Sequence, residues 1–291
     1  MPVHDDLGTR MKEFYEQVPK TKLVRRMPVA IRIDGKAFHT FTRGFRKPFD
    51  HILIKTMQET TKYLCENIQG CVLGYTQSDE ITLILVDYQK LTSSAWFDYE
   101  VQKLCSISAS MATMAFNKYF AENVANEILE YKTSMIPQCV EIQQEIKEYH
   151  DTLRAAVNKG AMFDARCFNI PKEEVTNLIY WRQLDATRNS IQMVGQANFS
   201  HKELQNKSCN MIQDMLHEQK GINWNDYPTV CKRGTACIKN RKIIEYLDEF
   251  KVTANLMDST KTENSWIIDT EMPILKGEDR AYIDDLIYVG E

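Results

Sequence analysis

Apolar positions at Leu7, Met11, Phe14, Tyr15 and Val18 follow the 3.6-residue period of a helix over 5–18, which Pro19 closes. The run 28–33 is short and nearly unbroken in apolar character, and it ends at Asp34-Gly35, which predicts a buried strand. A helical pattern over 50–67 begins at Asp50, a residue suited to cap it. Segments 71–76 and 81–86 alternate as two strands of a hairpin around Gln77-Ser78-Asp79-Glu80. The stretch 97–120 predicts a long helix, rich in Ala, Met and Ser, whose Met and aromatic positions belong to the core. Further helix follows over 122–158, interrupted near Pro137; 161–169 is a strand, and helix resumes over 172–195 and 200–219. The remainder is short strands and loops, including Lys232-Arg233-Gly234-Thr235, with no internal repeat or low-complexity stretch.

The first 170 residues therefore order as β-α-β-β-α-β, with a helical insertion at about 121–160 before the last strand. That is the split βαβ, ferredoxin-like unit of an α+β protein, here followed by a helical C-terminal half. In such a unit the first and third strands are antiparallel neighbours. The end of the first, carrying Asp34, then meets the start of the third at Asp79-Glu80, although 45 residues separate the two aspartates in the chain. Like charges so placed repel and raise a pKa. A divalent cation removes that penalty. Mg²⁺ takes hard oxygen ligands, one or two carboxylates and substrate phosphates, and two such ions can clamp an in-line displacement. The bland alternative is a turn Asp before Gly and a hairpin Asp.

Charge sharpens this picture. The net charge is only −4, but residues 20–47 hold nine cations (Lys20, Lys22, Arg25, Arg26, Arg32, Lys36, Arg43, Arg46, Lys47) against Asp34 alone. Residues 243–291 hold twelve acids against four cations. A polyanionic substrate would approach the basic stretch, unless that stretch is simply a solvated face. At 291 residues and 43% hydrophobic content there is ample material for a core. The eight cysteines (65, 71, 105, 139, 167, 209, 231, 237) show no paired spacing. That argues against zinc and a disulfide framework and for small buried thiols in a reducing cytosol. No run of 18 apolar residues predicts a membrane span, and His4, Asp5, Asp6 and Arg10 stand where a signal peptide would be apolar.

Several segments resemble those of a known family, the tRNA(His) guanylyltransferase-like proteins, which are 3′–5′ nucleotide polymerases. They are Arg32-Ile33-Asp34-Gly35, Phe38-His39-x-Phe41, Lys47-Pro48-x-Asp50, Gly74-Tyr75-x-Gln77-Ser78-Asp79-Glu80, Phe163-Asp164-Ala165-Arg166, Trp181-Arg182-Gln183 with Asp185 and Asn189, and Lys232-Arg233-Gly234-Thr235. The resemblance spans about 5–240. It implies a palm-type catalytic domain over 1–240, with the acidic segment 241–291 packed on it. It further implies that Asp34, the Gly35 carbonyl and Asp79 ligate two Mg²⁺. The turn Asp34, Gly35, Lys36, Ala37, Phe38 and His39, with Lys47, Ser78 and Asp79, would hold ATP or GTP, and Glu80 would be a third catalytic acid. Arg188, Asn189, Lys232 and Arg233 would meet tRNA. Such enzymes activate a tRNA 5′-monophosphate with ATP, and the 3′-hydroxyl of the incoming nucleotide then attacks that phosphate. A 5′-triphosphate end skips the activation. Family members assemble as tetramers, which implies a tetramer here, and the chain is expected to be cytoplasmic.

Two departures bear on specificity. Eukaryotic members that recognise tRNA(His) carry His-Ile-Asn-Asn where this chain has Thr187-Arg188-Asn189-Ser190, and the family's Gly-Arg-Asn-Phe-His turn is here Gly35-Lys36-Ala37-Phe38-His39. The chain thus looks like the branch that restores missing 5′ nucleotides opposite a template, the alternative being a dedicated enzyme adding the extra 5′ guanosine. Single residues keep open alternatives. Glu80 is either a ligand or a supporting acid, and His39 is a triphosphate contact or a packing ring. Lys47 is a phosphate contact or a surface lysine. Arg188, Lys232 and Arg233 are RNA contacts or solvated charges. Asp164 reads as a structural acid. Rival functions are a nucleotide cyclase, which would not need the basic clusters at 20–47 and 232–242, and a non-enzymatic RNA-binding sheet, which would need exposed strand aromatics.

Overall fold

The computed structural model describes residues 6–133, 140–239 and 265–290. The expectations placed on residues 1–5, Pro137, Cys139 and the charge-rich stretch 240–264 lie outside the described residues. Six strands form one sheet: β1 (Val29–Gly35), β2 (Cys71–Gln77), β3 (Glu80–Leu85), β4 (Phe163–Asn169), β5 (Thr235–Lys239) and β6 (Trp266–Asp269). Their order is β4-β1-β3-β2-β5-β6, with every neighbouring pair antiparallel. β1 and β3 are adjacent, as the split βαβ reading requires. Its hairpin turn shrinks to Ser78-Asp79, because Gln77 and Glu80 already pair.

The longer helices are α1 (Asp6–Met11), α2 (Phe38–Phe41), α3 (His51–Asn67), α4 (Val101–Thr133), α5 (Val140–Lys159), α6 (Lys172–Asn198), α7 (His201–Leu204), α8 (Cys209–Lys220), α9 (Thr229–Arg233) and α10 (Ala281–Ile287). Asp50 caps α3, accepting from the Ile52 and Leu53 amides at 3.0 and 3.1 Å. Three elements differ from the periodicity, the first being the helix expected over 5–18, which is α1 followed by a π-helical turn over Lys12–Glu16. The helix expected over 97–120 starts only at Val101, because Phe97, Asp98 and Tyr99 adopt positive φ, and it then runs on to Thr133. The helix expected over 200–219 is two pieces. Ser200 caps α7 with a capping box, Asn206 at φ +61° breaks the chain, and Ser208 caps α8.

Side-chain alternation places the sheet between two apolar layers. Val29, Ile31 and Ile33 join Ile81, Leu83 and Leu85 beneath α3 and α4, with Leu64, Phe116 and Phe120. Ala30, Leu73, Tyr75 and Ile84 face α6 and α10, meeting Val175, Ile179, Ile283 and Ile287. Both faces are covered, so the strands read as apolar runs. Arg32 and Asp34 share the face of Ala30, where the Asp34 side chain is 42% exposed. A smaller cluster of Ile191, Val194, Ile212, Leu216 and Trp224 joins the second half of α6 to α8.

Residues 265–290 close over this frame. β6 pairs with β5, and the Gln183 amide donates to the Pro273 carbonyl (2.8 Å) and accepts from Leu275 N (3.2 Å). All seven described cysteines are free; Cys65, Cys71 and Cys237 are buried and the other four half-buried. Among the described residues no helix is long and apolar enough to cross a membrane.

Candidate active site

The sheet register sets three carboxylates in one row. Asp34 on β1 lies opposite Glu80 on β3 and opposite Asp164 on β4. Like charges directly opposite one another destabilise a sheet, and three arginines offset the row. Arg182, 3% exposed on α6, binds Glu80 and also Asp185, the latter at 2.9 Å. Arg32 lies 3.5 Å from Glu80. Arg166 Nη2 reaches Asp164 at 3.4 Å and Asp34 at 4.0 Å. Gln77 donates to the same Glu80 oxygen at 3.2 Å. Glu80 is thus held from three sides, while Asp34 has only the outer edge of Arg166.

Asp79 completes the group from the hairpin turn. Its carbonyl accepts from Gly35 N at 3.1 Å, which ties the turn to the end of β1. Burial pushes its carboxyl pKa up to about 6, against a hydrogen bond from Ser78 and its own backbone, and the charges of Asp34 and Glu80 add to the rise. Ser78 sits at φ +50° and donates to Asp79 at 3.0 Å.

Beside these acids opens a cavity of about 520 Å³. Its wall includes Gly35, Ala37, Phe38, His39, Lys47, Ser78 and Asp79 from the expected nucleotide set. Asp34 and Lys36 flank it in sequence. Gly35 is required by close approach: a Cβ there would lie 2.2 Å from the Phe38 ring. That ring is 5% exposed and packs on Phe41, Phe116 and Phe163 at centroid distances of 5.1–5.4 Å. Phe38 therefore anchors the turn to α4, while His39 and Lys47 are exposed at the cavity.

The basic stretch 20–47 is not an open face. Lys22 and Arg25 pair with Asp98, Arg25 and the Arg26 amide with buried Asp87, and Arg46 with Glu127. The cations whose side chains have no acidic partner among the described residues are Arg26, whose guanidinium donates to the Asp87 and Lys90 carbonyls, and Lys36, Arg43 and Lys47, on the segment that borders the cavity. The field of the last three is the part that can serve a polyanion.

The expected RNA residues are brought together but partly spent. Arg188 binds Asp185, Thr187 Oγ donates to the Lys232 carbonyl at 3.2 Å, and Lys232 Nζ donates to Asn225 O at 2.5 Å. Arg233 is half-buried, and its carbonyl accepts from Tyr75 at 2.6 Å. Ser190 Oγ accepts from the Trp224 indole at 2.9 Å. Asn189 reaches the hairpin turn, lining a small gap with Ser78, Cys231 and Gly234. The sequence reading missed Thr42, Arg46, Met193 and Gln196 in the wall of the main cavity. Arg46 was legible in its place before Lys47. Met193 and Gln196 were not, since α6 arrives from far along the chain.

Known proteins share this architecture. The family model described as "Thg1: tRNAHis guanylyltransferase" matches residues 8–171. A bacterial tRNA(His) guanylyltransferase (Thg1)-like protein, solved in complex with ATP, is 39% identical, with a TM-score of 0.74, over 97% of this chain and 100% of its own. A bacterial Thg1-like protein solved with GTP is 36% identical, with a TM-score of 0.67, over 98% of this chain and 100% of that one. The tRNA(His) guanylyltransferase of Saccharomyces cerevisiae is 24% identical over 230 residues, 74% of this chain and 84% of the yeast protein. The class is that of a nucleotidyltransferase. The chain belongs to the tRNA(His) guanylyltransferase (Thg1) family.

Proposed function

We propose that this chain adds nucleotides in the 3′–5′ direction to the 5′ end of tRNA, restoring missing residues opposite a template, with ATP and GTP as substrates and two Mg²⁺ ions. The observation that carries the reading is the juxtaposition of Asp34 and Asp79 with a cavity whose wall includes His39, Arg46 and Lys47. A palm-type core over 1–240 is part of the same reading.

The donor set suits magnesium. Asp34 is exposed, Asp79 is a carboxylate whose charge lacks full compensation, and both are hard oxygen donors, as is the Gly35 carbonyl. Among the described residues no three His, Cys, Asp or Glu side chains form a ready-made metal cluster. Magnesium needs none, because phosphates and water complete its shell. Once bound, the metals supply neutralisation of the triphosphate and activation of the attacking oxygen.

The chain's own residues do the rest. Lys47 and His39 reach phosphate oxygens in the cavity, and Ser78 holds the turn that presents Asp79. Glu80, clamped by Arg182 and Arg32, keeps β3 and α6 in register beside Asp34. The 3′-hydroxyl oxygen of the incoming nucleotide forms a bond to the activated 5′ phosphorus of the tRNA. The bond to the leaving AMP or pyrophosphate breaks, and the hydroxyl proton passes to solvent.

Template-directed repair is favoured over dedicated guanosine addition by the fate of segment 187–190. Thr187, Arg188 and Ser190 are committed to Lys232, Asp185 and Trp224, so few polar groups there are free to read one tRNA. Pairing with the opposite strand can then supply selectivity. The test is kcat/KM for a tRNA lacking its first 5′ nucleotide against full-length tRNA(His) with GTP. Preference for the truncated, non-His tRNA is expected. A preference for full-length tRNA(His), with addition opposite a non-complementary base, would restore the dedicated enzyme.

A further inference from the structure

A second cavity, of about 560 Å³, lies past the end of the first and shares Gln196 with it. It is walled by Gln192 and Gln196 of α6, His201 of α7, and Gln205, Asn206 and Lys207 of the loop before α8. Gln192 and Gln196 stand one helical turn apart, about 6 Å along the axis. The floor is apolar: Phe199, Leu204 and Ile212. No carboxylate lines it. Its four amide side chains are exposed and, among the described residues, none of them makes a hydrogen bond within the protein.

Such a lining has a definite chemistry. An amide presents two donors and an acceptor in one plane, which matches the edge of a nucleobase. A flat base packs its faces on an apolar floor, and unpaired bases in RNA are recognised by this combination. Lys207 and His201 suit the attached phosphate, and no carboxylate in the lining opposes it. The volume falls within the range of small-molecule sites. Because Gln196 belongs to both cavities, a strand whose end lies in the first would lead into the second.

We propose that this second cavity binds one nucleotide unit, its base read by Gln192, Gln205 and Asn206 and its phosphate held by Lys207. The proposal rests on the tRNA reading above for the source of that nucleotide, an unpaired residue of the RNA; a free nucleotide offers the same chemistry.

The test is fluorescence anisotropy with a labelled single-stranded oligoribonucleotide of about ten nucleotides, a length that covers a typical single-strand site. ATP binding is measured in parallel. The double variant Gln192→Ala/Gln205→Ala should weaken the oligonucleotide about tenfold, the loss expected for two neutral hydrogen bonds. Its salt dependence should be unchanged. Lys207→Ala should instead flatten the slope of log K against log salt by about 0.7, one phosphate contact on a single strand. Gln192→Glu, which keeps the size and adds a charge, should weaken binding further. If oligonucleotide affinity holds but ATP stoichiometry drops from two to one in the double variant, the site takes free nucleotide. Unchanged oligonucleotide affinity, salt slope and ATP stoichiometry in all three variants would overturn the proposal. Nucleotide addition to truncated tRNA is assayed separately. Its absence alongside intact, amide-dependent RNA binding would remove the catalytic reading and leave the site.

Discussion

Asp34 and Asp79 differ from the other acids of the row in how little offsets their charge. Glu80 is neutralised by Arg182 and Arg32, whereas Asp34 meets only Arg166 at 4.0 Å, and Asp79 is pushed toward neutrality by burial. Replacing either with Ala removes more repulsion than support, the support being Arg166 at 4.0 Å for Asp34 and the Ser78 hydroxyl for Asp79. Asp34→Ala and Asp79→Ala should therefore keep their melting temperature or raise it slightly, yet lose nucleotide addition by at least about a hundredfold, since each deletes a ligand of the charge-neutralising metal. Activity near wild type in saturating Mg²⁺ would remove the metal assignment. Gly35 fails differently. A methyl group there meets the Phe38 ring, which is locked among Phe41, Phe116 and Phe163 and has nowhere to turn. Gly35→Ala should cost about 1–3 kcal/mol of stability, the usual penalty for overpacking, and displace the 36–39 turn. Chemical denaturation gives the first effect and the KM for ATP the second. Wild-type values for both would show that the ring yields.

α6 is the element on which the site depends most. Its first half packs on the sheet through Val175 and Ile179, and its second half lines both cavities through Gln196. Between them Arg182 joins Glu80 of β3 to Asp185 of its own helix while 3% exposed. Removing one partner of a buried ion pair leaves uncompensated charge. Arg182→Met should cost about 3 kcal/mol, nearer the lower end for buried pairs because Glu80 is a quarter exposed. The companion Arg182→Met/Glu80→Gln should recover part of that loss in urea unfolding. A double variant no more stable than the single would mean that Arg182 acts through packing on Trp181, whose ring lies 4.6 Å from its guanidinium.

The N-terminal segment, α1 with the π-helical turn Lys12–Glu16 and the residues up to Val18, stays on the surface of the molecule. Leu7, Phe14, Tyr15 and Val18 are each at least 60% exposed, although their spacing is that of a buried stripe. An amphipathic helix gains most of its stability from covering its apolar face. Among the described residues nothing buries this face, and a second copy of the chain is the surface available to every molecule in solution. Self-association is therefore expected, and Phe14→Ser/Tyr15→Ser should reduce the mass measured by light scattering at micromolar concentration. A wild-type protein that runs as a monomer there would defeat the expectation.

Short-range patterns determined a large part of this protein. Period-2 and period-3.6 repeats located β1 to β4 and most of the longer helices, while β5 and β6 fell in a remainder read only as short strands and loops. Asp50 announced the start of α3, and the β-α-β-β-α-β order was enough to bring Asp34 beside the 79–80 turn, because topology alone makes the first and third strands neighbours. Left-handed backbone at 97–99 and at Asn206 escaped notice, since no Gly or Pro marks either break. What the tertiary structure decided is which charges remain available. The basic stretch 20–47 looked uniform until Asp87, Asp98 and Glu127 arrived from distant segments to neutralise much of it, leaving Lys36, Arg43 and Lys47 beside the cavity and Arg26 away from it on backbone carbonyls. Glu80 stood open in the sequence between a ligand and a supporting acid, and only the packing of α6 laid Arg182 across it. Four scattered amides became one cavity only when α7 folded back against α6. Caps and periods act within a few residues and are written in the local sequence. Ion pairing and cavity walls depend on which elements the packed sheet and helices set side by side, and that is decided by the whole chain at once.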